Sequence, residues 1–194
     1  MIVKTDPKNP NTWPVLTLWQ PWAILLAHPL GWKDIETRPK PVSYRGPVFI
    51  HAAAAFPKSA RDLCETQPFK KALEAIGFEH WSQLPLGSIL GAFDVEDCVA
   101  SWGTDNLGRA IVAHGCPHGT TTQKPVFISS TETQLGNYDI TRYAWIGTNH
   151  RLLKQPISYT NGQGYYLRYK GRPEIIHFME VPGQFDPKSN WFTV

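Results

Sequence analysis

The chain has 194 residues, 42% of them hydrophobic and 18% charged, a balance that excludes intrinsic disorder and suits one globular domain with decorations rather than two domains. A net charge of +3 falls short of the basicity that marks a duplex-binding protein, so a nucleic-acid partner has to be met by a local patch. Cys64, Cys98 and Cys116 are too few and too scattered for a disulfide framework, and an odd count fits free thiols in a reducing compartment, so a cytoplasmic location is expected. The polar start, Met1 to Asn11, lacks the regions of a secretory signal. Pro14, Gln20, Pro21, His28 and Pro29 interrupt the apolar stretch from Trp13 to Trp32, so no transmembrane helix and no membrane partner is expected.

In chain order, Val15 to Leu18 reads as a short strand, and Pro21 opens a helix over Trp22 to His28, where its missing N–H costs nothing. Lys33 to Arg38 alternates and is expected to form a strand running back beside the first, with Glu36 and Arg38 on one side. Pro47 to Ala52 is a buried strand by its β-branched and aromatic content. Ser59 to Gly77 carries two helical pieces split by Pro68. A long strand over Ser88 to Cys98 gives way to an irregular stretch from Ser101 to Lys124, and Pro125 to Ser129 follows. Arg142 to Ile146 and Leu152 to Tyr159 read as two strands, and Gly162 to Gly164 leads into a further one at Tyr165 to Tyr169. Strands at both ends with helices between them make an α+β chain.

Two blocks carry a resemblance. The first is Leu18-Trp19-Gln20-Pro21-Trp22-Ala23, then Gly31-Trp32-Lys33-Asp34-Ile35-Glu36-Thr37-Arg38, Tyr44-Arg45-Gly46-Pro47 and Ile50-His51-Ala52. The second is Leu135-Gly136-Asn137-Tyr138 with Arg142-Tyr143-Ala144-Trp145, Pro156-Ile157 and Gly162-Gln163-Gly164. In order and spacing they resemble an ASCH domain, with its G-x-K-x-x-E-x-R signature complete. The resemblance implies a PUA-like β-barrel over residues 15–169, with helices packed on the barrel and its rim; residues 1–14 are read as an N-terminal extension, and the tail (170–194), outside the resemblance, as a C-terminal extension packed on the domain. It also implies a cleft between the first helix and the barrel rim, where the signature residues gather. Members of that family are linked to RNA, to transcription-associated assemblies, to RNA cleavage and, in one branch, to deacylation of acetylated cytidine. That branch has a threonine where Glu36 stands here.

Read for their chemistry alone, Lys33, Glu36 and Arg38 at a strand edge suit a ligand bearing both donors and acceptors. Glu36 accepts from an amine or hydroxyl, Arg38 offers a planar fork to a phosphate or base edge, and Lys33 a cation. Trp19, Trp22 or Trp32 can stack on a base, while Gln20, Pro21, Arg45, His51, Arg142 and Tyr143 complete the expected ligand-binding set, with Lys40 on the approach. Plainer readings stand beside these: Glu36 and Arg38 as an ion pair closing the barrel mouth, the tryptophans as packing, and His51 as a hydrogen-bonded core residue.

The leading functional expectation is a nucleotide or single-stranded RNA, its base modified or not, held in the cleft. A second is a hydrolase in the same cleft, a ribonuclease or an amidohydrolase on acylated cytidine, with Lys33 and Glu36 as candidate catalytic groups. Thr37, Ser43 and Tyr44 offer hydroxyls, and Asp94, Glu96 and Asp97 carboxylates. A third is a protein-interaction module. No cofactor is expected, apart from a divalent metal should the chain be a nuclease. His114-Gly115-Cys116-Pro117-His118 invites a zinc reading, but its spacing matches no paired C-x-x-C pattern, and a glycine-rich loop with exposed histidines is the preferred account. In the tail, Phe178, Trp191 and Phe192 are candidate anchors for a partner.

Overall fold

Both faces of the first strand carry apolar side chains, and this decides much of what surrounds it. The computed structural model describes residues 12–114, 124–159, 165–169 and 172–180. Strand β1 (Thr12–Leu18) sends Leu16 and Leu18 into the main core and Val15 into a second cluster with Phe49, Ile89, Ala92 and Leu153. Strand β3 (Gly46–Ala52) runs parallel to β1, in register from Val15 opposite Phe49 to Leu18 opposite Ala52. A parallel pair needs a crossover. Helix α1 (Trp22–Ala27) and strand β2 (Ile35–Arg38) lie in that connection.

The other edge of β1 is taken by β9 (Arg172–Glu180), antiparallel, which pairs in turn with β8 (Tyr165–Tyr169). With both edges of β1 occupied, β2 has no place beside it. This corrects the expected pairing: β2 runs antiparallel to β7 (Tyr143–Ser158), Glu36 opposite Trp145 and Arg38 opposite Tyr143. The pairing strand β9 lies in the tail, which was expected to pack on the domain but not to supply a strand.

Strand β4 (Ser88–Thr104) bridges β3 and β7 and runs past its expected end at Cys98. Its last residues pair with β5 (Ala110–Ala113), and β5 pairs with β6 (Val126–Phe127), so the expected irregular stretch begins as a hairpin. β7 is one strand where two were expected. Register shifts against β4 let it continue past Gly147 and past Asn149, whose φ is +52°, without breaking the ladder. At one such irregularity the backbones come so near that a Cβ on Gly91 would stand 2.0 Å from the Arg151 carbonyl oxygen, so only glycine fits.

The helices cover this sheet. All of α1 except Trp22 is buried. Its start lacks a conventional cap, and the buried Gln20 supplies one: Oε1 accepts from the Ile24 N–H at 3.1 Å while Nε2 donates to the Pro85 carbonyl at 2.8 Å. Helices α2 (Lys58–Cys64) and α3 (Phe69–Ala75) are the two pieces expected around Pro68, and Cys64, Phe69, Ala72 and Leu73 complete the main core. A short helix not expected from sequence, α4 (Ser130–Gln134), is capped by Ser129, whose Oγ accepts from the Glu132 N–H.

Among the described residues the sheet is mixed, and seven strands follow in the order β2-β7-β4-β3-β1-β9-β8, with β5 and β6 branching from β4. The chain is α+β, and these pairings form an open path. Among the described residues no helix is long and apolar enough to cross a membrane.

Candidate functional site

Between the end of β1, the start of α1, strand β2 and the turn after α4 lies a cavity of about 530 Å³. Leu18, Trp19, Trp22, Leu63, Phe69 and Leu135 give it an apolar side. Glu36, Thr37, Arg38, Asn137 and Arg142 give it a polar one. Trp19 is 51% exposed, so its ring stands at the rim instead of in the core. Trp22 is fixed lower down by an Nε1–H bond to the Leu135 carbonyl (2.9 Å) and an edge-on contact with Phe69.

The signature delivers its residues through a tight turn. Gly31 has φ +66°, a conformation glycine adopts without steric cost, and the chain then reverses into β2. Glu36 is buried, and Arg38 Nε lies 2.9 Å from its Oε1 as an ion pair, while Arg38 Nη2 donates to the Thr17 carbonyl at 3.2 Å. The Thr37 hydroxyl accepts from the Asn137 N–H (3.1 Å), and the Thr37 carbonyl accepts from Arg142 Nη2 (2.8 Å). The turn after α4 is thereby tied to β2 across the cavity.

Lys33 is only 1% exposed. Its ammonium donates to the Ile35 carbonyl and to Glu132 Oε1, the latter at 3.3 Å. Glu132 is buried too and also accepts from the Asp34 N–H (2.8 Å) and the Tyr138 hydroxyl (3.1 Å). Burial pushes its carboxyl above the usual range, against the pull of Lys33 and these two donors. Burial, reinforced by the neighbouring Glu132, also raises the Tyr138 hydroxyl. Among the charged groups lining the cavity, Glu36 is matched by Arg38 and Lys33 by Glu132, and among the described residues Arg142 is matched by no carboxylate.

Of the residues singled out by sequence, Trp19, Trp22, Lys33, Glu36, Arg38 and Arg142 come together in this cavity. Others lie elsewhere. Gln20 and Pro21 belong to the start of α1. Arg45 is engaged by the Val42 and Tyr44 carbonyls and by Asp97. Tyr143 packs against the main core. His51 sits beside Thr17 Oγ1 (3.2 Å) and the Tyr159 carbonyl (3.0 Å), and burial lowers its pKa. Trp32 also packs on the core, and Lys40 is exposed outside the cavity.

Glu132 was missed. Its sequence signal is Ser129-x-x-Glu132, a pattern that ordinarily turns the glutamate back on its own helix start, whereas here the carboxylate is drawn to Lys33. Among the described residues no group of three or more metal-ligand side chains comes together. His114 Nε2 pairs with Asp97 at 2.7 Å, and Gly115 to His118 lie outside the described residues, as do Trp191 and Phe192.

No family model matches the chain. Part of it is similar to activating signal cointegrator 1 of Homo sapiens, with 34% identity over 85 residues, 44% of this chain and 14% of that protein. The chain thus corresponds to a small share of that relative's length.

Proposed function

We propose that the cleft binds a nucleotide or a stretch of single-stranded RNA within a PUA-like, ASCH-type fold. The observation that carries this is the half-exposed Trp19 on the rim of a cavity that also holds Glu36, Arg38 and Arg142. A base has a π-face and polar edges, and a cavity with one aromatic side and one hydrogen-bonding side suits both. Base–aromatic stacking contributes about 1–3 kcal/mol in single-strand binders. Arg142, matched by no carboxylate among the described residues, meets the phosphate. The ASCH resemblance of both sequence blocks and the similarity to the human cointegrator support the reading.

The geometry favours binding over hydrolysis. Lys33, the candidate acid or base, is 1% exposed with its ammonium held by two protein oxygens, so it is not presented to a substrate for proton transfer in either direction. A protein-interaction role is the second reading, favoured by the similarity to a protein named as a cointegrator and by the exposed Leu107, Val126, Phe127 and Ile140.

Ultraviolet cross-linking to a mixed-sequence single-stranded RNA, mapped by peptide mass spectrometry, tests the proposal. Cross-links are expected on the peptides holding Trp19 and residues 135–142. Cross-links confined to β5 and β6, which line no part of the cavity, or none at all, would overturn it.

A further inference from the structure

Another space borders the cleft at Asn137. A second, more open cavity of about 750 Å³ starts on the far side of Gly136 and Asn137, which line both cavities, and extends past Thr104, Tyr138, Asp139, Ile140 and Thr141. Two segments therefore join the spaces. Gly136 and Asn137 belong to both, while Thr141 lines the second and its neighbour Arg142 the first.

Among the described residues, the lining of the second cavity holds no lysine or arginine, and it offers a phosphate no cation. It offers threonine hydroxyls, the Asp139 carboxylate and Ile140, half of whose surface is exposed. An apolar patch ringed by donors and acceptors is the chemistry that meets a base and its ribose. The cation lies at the junction, where Arg142 reaches the Thr37 carbonyl from the first cavity.

The wall between the cavities is preformed. The Asn137 N–H donates to Thr37 Oγ1, and Asn137 Oδ1 accepts from the Asp139 N–H at 3.0 Å. Tyr138 is held by Glu132, the carboxylate that also holds Lys33 of the first cavity. Gly136 passes so near the Tyr138 ring that a Cβ would stand 2.8 Å from it, so any larger residue there would have to displace the ring.

We infer that the ligand of this cleft is an oligonucleotide of two or more nucleotides, with one base beside Trp19, the next in the second cavity, and the linking phosphodiester at Arg142. This rests on the nucleotide-binding reading and specifies its ligand class. A free mononucleotide fills only the first space, and a dinucleotide fills both across a rigid wall, so the second base adds contacts without a further cost of ordering the protein.

Isothermal titration of the full chain with the four 5′-mononucleotides, with ribodinucleotides, and with dinucleotides bearing an abasic ribose at either position tests this. The expected result is a dinucleotide binding at least about tenfold more tightly than its mononucleotides, with the gain lost when either base is missing. A smaller gain, or one that survives removal of a base, would overturn the two-cavity inference while leaving a single-base cleft standing. If no nucleotide of any length binds, the cleft reading fails and this inference with it.

Discussion

Removing one partner of the Lys33–Glu132 pair leaves the other charge buried without its counter-ion. Lys33 is 1% exposed, and Glu132, 8% exposed, accepts from two further donors, so little water reaches either charge. Breaking such a pair costs about 3–5 kcal/mol, and at about 2–4 °C per kcal/mol for a chain of this size Tm falls by roughly 6–20 °C. Glu132→Leu strands the ammonium, the Asp34 N–H and the Tyr138 hydroxyl together, so it belongs at the upper end. Lys33→Met leaves a carboxylate whose pKa burial already raises. Without the lysine it rises further, and the carboxyl escapes its penalty by taking a proton. The deficit of Lys33→Met therefore shrinks as pH falls toward the carboxyl range, whereas that of Glu132→Leu does not. The double variant costs less than the sum of the singles by about 1–3 kcal/mol. Urea unfolding followed by circular dichroism at several pH values measures all of these. Single costs below about 1 kcal/mol that simply add in the double variant would refute the reasoning.

Three further outcomes are expected. Burial lowers the pKa of both His28 and His51 below the ordinary 6.5, so the unfolded chain binds more protons just below that pH; stability is full above 6.5 and is lost as pH falls through the folded pKa values, and the His28→Gln/His51→Gln variant flattens that slope in urea titrations. Burial pushes the Cys64 thiol up to about 11 and raises Cys98 as well, so both stay unalkylated by iodoacetamide at neutral pH until the chain is unfolded, as peptide mass spectrometry would show. Gly91→Ala drives a methyl into the Arg151 carbonyl and costs about 3 kcal/mol or more by calorimetry, whereas Leu86→Ala, on an exposed side chain, changes stability by less than about 0.5 kcal/mol.

What could be read from the sequence was local. Proline punctuation located α1, α2 and α3, and β-branched runs located β1, β3 and the start of β4, because those signals lie within a few residues. Long-range choices left no such mark. β2 pairs with β7 because β3 and β9 already occupy both edges of β1, a competition among segments more than a hundred residues apart. β7 looked like two strands because Gly147 and Asn149 are ordinary breakers, and the irregular ladder with β4 is what carries the strand through them. The spacing of Lys33, Glu36 and Arg38 brought attention to β2 and the turn before it, which line the cavity. It could not show that Lys33 turns inward to Glu132, a residue 99 positions away, nor that Gln20 spends its amide on the helix start and on Pro85. Polar residues beside a signature are ambiguous until their partners are known.

The central claim is that Trp19 and Arg38 meet a base in the first cavity. The direct measurement is fluorescence anisotropy of a labelled single-stranded RNA with the wild-type chain, Trp19→Ala, Arg38→Ala and the control Leu86→Ala, at one fixed salt concentration. The account predicts binding by the wild type and the control, with Trp19→Ala weaker by about 1–3 kcal/mol, roughly 5- to 150-fold, and Arg38→Ala weakened as well. Equal affinity in all four proteins would contradict it, as would a wild type that binds no RNA.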